Sequence, residues 1–180
     1  MLVLNIALFV HLMGVVTLFI ALGILQRSGA RARGASTVEE AHTWLAFAGT
    51  TRTMFPSAML MILLTGLYMS HKLYTFRTPW IVVAITVVVL LPLIGGLAVG
   101  RALGGVERAL ASGSGPLTPE QARLVRQPGP WITAGALNGM AIGLLWIMAS
   151  KPGWMHSIVA VAVTGVLGGI IATMVVRSGR

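Results

Sequence analysis

Few side chains in this chain of 180 residues, with 13 basic and 4 acidic residues, are able to do chemistry, and the histidines come first: His11, His42, His71 and His156. His11 lies in an apolar run with Ala7 one turn before it and Gly14 one turn after, so its helix face is low enough for a flat ring or a second helix to lie close. That arrangement suits a haem axial ligand; the simpler alternative is a histidine hydrogen-bonded to a neighbouring helix. His71 and His156 stand beside Met69 and Met155, with Met148 at the corresponding end of another run, and imidazole with thioether sulfur is a soft donor set suited to copper(I). Methionine is also an ordinary apolar filler, and no two of these histidines share a close ligand spacing within one helix. His42 stands apart from them. Arg52 adjoins an apolar run, where it either snorkels to lipid headgroups or clamps an anion: a lipid phosphate, a haem propionate or another subunit's carboxylate, with Asn138 at a similar depth. The absence of cysteine excludes disulfides, iron–sulfur ligation and a thiol nucleophile.

These residues are positioned by apolar helices. With 56% hydrophobic and 9% charged residues and a mean hydropathy of +0.88, the chain has too little polar surface to enclose a soluble core. Stretches free of Asp, Glu, Lys and Arg cover residues 1–26, 53–71, 78–100, 127–150 and 152–176. At about 1.5 Å of rise per residue each approaches or exceeds the ~30 Å hydrocarbon thickness, where only helices satisfy their own backbone. The sequence therefore predicts an all-α polytopic bundle, one membrane domain over 1–180, with spans at 2–26, about 44–70 (helix reaching back to 37), 79–100, 131–150 and 153–176 and a cytoplasmic loop at 101–130. The first run is read as a retained helix rather than a signal peptide, because Met1-Leu2-Val3 offers no basic n-region.

Charge placement predicts the orientation. Arg27, Arg31, Arg33, Arg101, Arg108, Arg123, Arg126, Arg177 and Arg180 fall on one side of five crossings, and Lys72, Arg77 and Lys151 on the other. The positive-inside rule then puts the N-terminus outside and the C-terminus in the cytoplasm. Trp80, Trp146 and Trp154 belong to the outer interface and Trp131 to the inner one. The net charge of +9 thus reflects loop topology and anionic headgroups; no basic stripe interleaved with stacking aromatics points to nucleic acid.

Local signals refine the spans. Ser36 with Glu39 and Thr37 with Glu40 form overlapping capping-box patterns, so the second helix is overlong, with Pro56 as its expected bend. The loop holds two short helical patterns separated by Ser112-Gly113-Ser114-Gly115-Pro116, the second opening at Thr118-Pro119. Gly135, Gly139 and Gly143 share one face of the fourth span, and Gly165, Gly169 and Thr173 one face of the fifth; small residues at this spacing let helices approach closely. Lys151-Pro152-Gly153 is a turn short enough to make the two an antiparallel hairpin. No Walker loop, dinucleotide fingerprint or carboxylate cluster is present.

Phe9-Val10-His11-Leu12-Met13-Gly14, Thr65-Gly66-Leu67-Tyr68 and Lys151-Pro152-Gly153 carry a resemblance to an uncharacterised family of bacterial integral membrane proteins. That family looks related to the copper-resistance D proteins and, more distantly, to the membrane protoporphyrinogen oxidase of bacterial haem synthesis. The resemblance implies a multi-pass protein of the bacterial inner membrane and maps the oxidase's helix-one haem ligand onto His11. The oxidase's essential lysine on helix three has no counterpart in Trp80-Ile81-Val82-Val83-Ala84-Ile85-Thr86.

The expectation is a non-catalytic membrane subunit or scaffold associated with other membrane subunits or with itself. The alternatives are a haem b or copper binder using His11, with Arg52 as cofactor clamp and His71, His156, Met69 and Met155 as metal ligands, and a small transporter.

Overall fold

The computed structural model describes residues 1–111 and 113–178, the side chain of Ser178 excepted. Ser112 of the expected loop and Arg180 of the expected cytoplasmic charges lie outside them. The regular structure of the described residues is all helical, with no strand: α1 (Leu2–Gly34), α2 (Val38–Gly49), α3 (Thr51–Leu73), α4 (Pro79–Ile94), a π-helical segment (Gly95–Gly100), α5 (Arg101–Leu110), α6 (Pro119–Val125), α7 (Gly129–Ser150) and α8 (Trp154–Ser178). Grouped where they run on, they give five helices long and apolar enough to cross a membrane.

At the arginine-rich end two helices run on beyond the expected spans. α1 does not stop at 26 but continues to Gly34, because arginine is a good helix former and Arg31 and Arg33 fall in the last turn, where the helix dipole favours cations. The third span does not stop at 100; it passes through the π-helical segment into α5. Pro92 cannot donate to the carbonyl one turn back, and the ladder rearranges to π spacing just beyond it, at Gly95 and Gly96. In the second span the interruption falls at Thr50, ahead of Pro56, which sits inside α3. There the hydroxyls of Thr50 and Thr51 donate to the carbonyls of Phe47 and Ala48 at 2.7 Å each, competing with the helix's own ladder.

These extensions form a cap beyond the spans. Ala32, Ala35, Val38, Ala41, Leu45, Val106, Leu110 and Val125 make an apolar core of their own, drawn from α1, α2, α5 and α6 and separate from the bundle core around Leu22, Ile62, Val87, Leu91 and Leu144. Thr37 caps α2, accepting from the Glu40 N–H at 3.3 Å while Glu40 accepts from the Ser36 N–H at 3.1 Å. The Ser36–Glu39 box does not form; the Gly115 N–H instead donates to Glu39 at 2.8 Å. Backbone bonds from Val38 to Gly115 and from Leu117 to Ser36 tie the loop to α2, with Gly115 at φ +78°, where glycine is favoured. α6 opens with a full capping box between Thr118 and Gln121.

α7 and α8 form an antiparallel hairpin through Lys151, which takes a left-handed backbone at φ 51°. Gly135, Gly139 and Gly143 face α8 so closely that a β-carbon on any of them would overlap Ala172 and Gly168, the Thr164 carbonyl, or the Thr164 hydroxyl and Val161. On α8 the residues in the contact are Val161, Thr164, Gly165, Gly168 and Ala172; Gly169 lies at its edge, and the Thr173 hydroxyl bonds back to the Gly169 carbonyl. Elsewhere α8 is peripheral, only 11% of its most apolar window being buried. Trp131 lies over Gly29, joining α7 to α1, and Gly14 brings α1 against Ala58, Met61 and Ile62 of α3.

A contrast between two glycines tests this packing. Gly139→Ala must push apart two backbones and is expected to cost about 2–3 kcal/mol, lowering the thermal midpoint in detergent, whereas Gly23→Ala, whose β-carbon meets nothing within 4 Å, is expected to raise stability by about 0.5–1 kcal/mol. Equal midpoints for the two variants would contradict the contact.

Candidate functional site

Two cavities hold the chemistry, one toward each end of the bundle. At the arginine-rich end α1, α2, α3, α4, the π-helical segment, α5 and α7 line a chamber of about 290 Å³ whose walls are overwhelmingly apolar, including Leu18, Leu22, Met59, Leu91 and Leu137. Its wall collects the irregular backbone of the molecule: Gly49, Thr51, Pro56, Pro92, Gly95 and Gly96 all line it. Its charged residues are Arg52 and Glu107, joined by an ion pair of 2.5 Å. Glu107 is one of four acidic residues in the chain; standing just beyond a charge-free run, in the strongly amphipathic α5, it was the signal available for a partner to Arg52. Asn138 is not that partner, for it lines a third cavity, between α1, α7 and α8.

At the other end His11 is buried between α1 and α3. Its Nδ1 lies 3.1 Å from both the Ile62 carbonyl and the Thr65 hydroxyl oxygen. Thr65 gives its own proton to the Met61 carbonyl at 2.5 Å, so both neighbours of Nδ1 are acceptors and the network assigns the ring proton to Nδ1. In the neutral ring Nε2 is then the unprotonated nitrogen. Gly66 admits the ring: a β-carbon there would stand 3.3 Å from Cε1. His11 lines a cavity of about 390 Å³ together with Met69, Met148, Ser70, Tyr74 and Trp80.

The site residues expected from sequence are thus partly gathered. His11 and Met69 share a cavity, whereas Arg52 belongs to the other one. His71 stacks on Phe76 with ring centroids 6.3 Å apart, and Met155 and His156 are exposed. Among the described residues no three His, Asp or Glu side chains gather as a metal site would require. Thr65 and Gly66 were visible in the sequence as a motif closing the second span, but the acceptor carbonyl of Ile62 leaves no trace in a residue pattern.

The helices and the apolar cavities between them define, by length and composition, a multi-pass helical membrane protein. No protein-family model, curated protein or solved structure matches the chain.

His11→Phe keeps the ring's bulk and removes the bonds to α3. A loss of about 1 kcal/mol is expected, the scale of hydrogen bonds between helices in membranes, read as a lower thermal midpoint in detergent. A midpoint unchanged from the parent would contradict a joint at this residue.

Proposed function

We propose that the chain is a non-catalytic membrane subunit or scaffold, with its N-terminus outside and its cap in the cytoplasm, that presents the cap to a partner subunit. The observation that carries this reading is the cap's own apolar core, which orders α2, α5, α6 and the end of α1 as a platform beyond the spans. Arg27, Arg31, Arg101, Arg108, Arg123 and Arg126 are exposed at that end. Arg31 also lies 5.8 Å from the Trp44 ring centroid, a cation–π contact that fixes the side chain on the platform. The intramembrane histidine serves the same end, since His11 joins two helices. The excess of arginine at the cap supports the cytoplasmic placement by the positive-inside rule, and the resemblance to bacterial inner-membrane proteins supports that membrane.

A b-type haem protein is the second reading, favoured by the proton on Nδ1. A histidine that donates one ring nitrogen to a carbonyl presents the other as a ligand, so His11 would hold a haem iron, with the sulfur of Met69 or Met148 in the same cavity as a second donor. The cavity's lining includes no Arg or Lys to pair with propionates, and Arg52 is in the other chamber, so His11 and Arg52 do not fit one haem together. Copper is supported no further than His11 with Met69.

Purification in a mild detergent, followed by native mass spectrometry and an absorption spectrum, tests both readings. A stoichiometric companion subunit, lost when Arg123 and Arg126 are changed to Glu, and no Soret band are expected. The chain alone as a monomer would overturn the scaffold reading, and a stoichiometric Soret band abolished by His11→Ala would establish the second. Because the chain has no cysteine, Ser114→Cys is expected to react with an impermeant thiol reagent only in inverted membrane vesicles, and Thr75→Cys only in right-side-out ones. The opposite pattern would reverse the orientation.

A further inference from the structure

The chamber behind Arg52 is more than a gap in packing. Its wall brings together the break at Thr50, two prolines inside helices and the π-helical segment, each a place where a helix gives up regular hydrogen bonds. Irregular backbone within a membrane bundle is tolerated where it is buried in protein or lines a cavity, and π-helical insertions recur at functional sites. The lining is apolar apart from one ion pair at the arginine-rich end, so an occupant must be a hydrocarbon over nearly all its length and charged at one end.

The sign of that charge follows from how Arg52 is held. Glu107 engages one guanidinium nitrogen, Nη2, through a single carboxylate oxygen. A guanidinium can present five N–H donors in a planar fork, and among the described residues the hydrogen bonds of Arg52 include no other partner. The Arg52 side chain is 64% exposed against 30% for Glu107, so an incoming headgroup meets the arginine more readily than the carboxylate. The remaining edge of the fork fits two oxygens of a carboxylate or phosphate, while the attached chain enters between Leu22, Met59, Leu91 and Leu137.

We propose that this chamber binds a single acyl chain bearing an anionic head, the head on Arg52 and the chain among the helices. Glu107 then holds the guanidinium at the mouth and opposes the anion, setting an affinity that permits exchange with the bilayer. A free long-chain carboxylate and a single-chain phospholipid with a phosphate head share this chemistry. The proposal does not depend on a partner subunit or on His11.

The test is equilibrium binding to the full-length protein in nanodiscs of phosphatidylcholine, with palmitate, lysophosphatidate and hexadecanol as separate probes. Saturable binding of palmitate or lysophosphatidate, roughly tenfold tighter than hexadecanol, is expected, and the tighter anion names the source. Arg52→Gln is expected to remove the advantage of the anions over the alcohol, and Glu107→Gln to strengthen anion binding roughly threefold. Gly96 lines the chamber, and a β-carbon there meets nothing within 4 Å, so Gly96→Phe is expected to keep the parent's thermal midpoint and to abolish binding of every probe. Equal binding of alcohol and anions, anion binding untouched by Arg52→Gln, or weakened anion binding in a stably folded Glu107→Gln protein would each overturn the proposal.

Discussion

In hydrocarbon the apolar side chains of a helix gain nothing by leaving lipid for another helix, so association depends on close van der Waals packing and a few polar joints. The contact between α7 and α8 meets that condition through Gly135, Gly139 and Gly143 against Thr164, Gly165 and Gly168, with no β-carbon between the backbones at the glycines. α8 is otherwise peripheral, so this seam fixes its position. α7 in turn reaches α1 through Trp131 on Gly29, and α1 reaches α3 through Gly14 and through His11 on Ile62 and Thr65. The bundle is a series of such joints, each placing a glycine where a bulky ring or a second backbone must come near.

The two ends of the bundle differ in what they do with polar groups. Away from the cap, His11 is committed on one nitrogen to α3 and borders an apolar cavity with two methionines. Toward the cap, the helices outrun the spans and build a second core, and the ion pair of Arg52 with Glu107 ties α3 to α5 beneath it. That pair is substantially exposed, so it contributes well under about 1 kcal/mol to stability, and its placement at the chamber's mouth is the more telling property.

The spans were legible because charge is excluded from hydrocarbon: each of the five charge-free runs lies in one of the five long apolar helices, overhanging it by at most two residues at its start. At the arginine-rich end α1 outruns the expected span, because Arg27, Arg31 and Arg33 bound the charge-free run without ending the helix, and no motif in the sequence marks the further core around Ala32 and Ala35. Proline is a visible disruptor and makes Pro56, inside α3, the expected bend; the interruption at Thr50, where threonine hydroxyls compete for carbonyls, has no such marker in the sequence. The glycine face of α7 was readable from its four-residue spacing, but on α8 that spacing picks Gly165 with Gly169, whereas the facing geometry selects Gly165 with Gly168, three residues apart. Arg52 stood out as a lone charge; its chamber did not, since Leu18, Met59, Pro92 and Leu137 lie far apart in sequence and nothing in their types marks a shared wall.

The seam between α7 and α8 can be measured directly in a chain that has no cysteine of its own. A β-carbon at Gly169 would stand 3.7 Å from that of Ala136, close to the mean separation in disulfides. Ala136→Cys with Gly169→Cys in native membranes is expected to close an intramolecular disulfide under mild oxidation, seen as the loss of two thiols without a change in oligomer size. Thiols that stay reduced, or bridge only between two copies, would contradict the seam that holds α8 on the bundle.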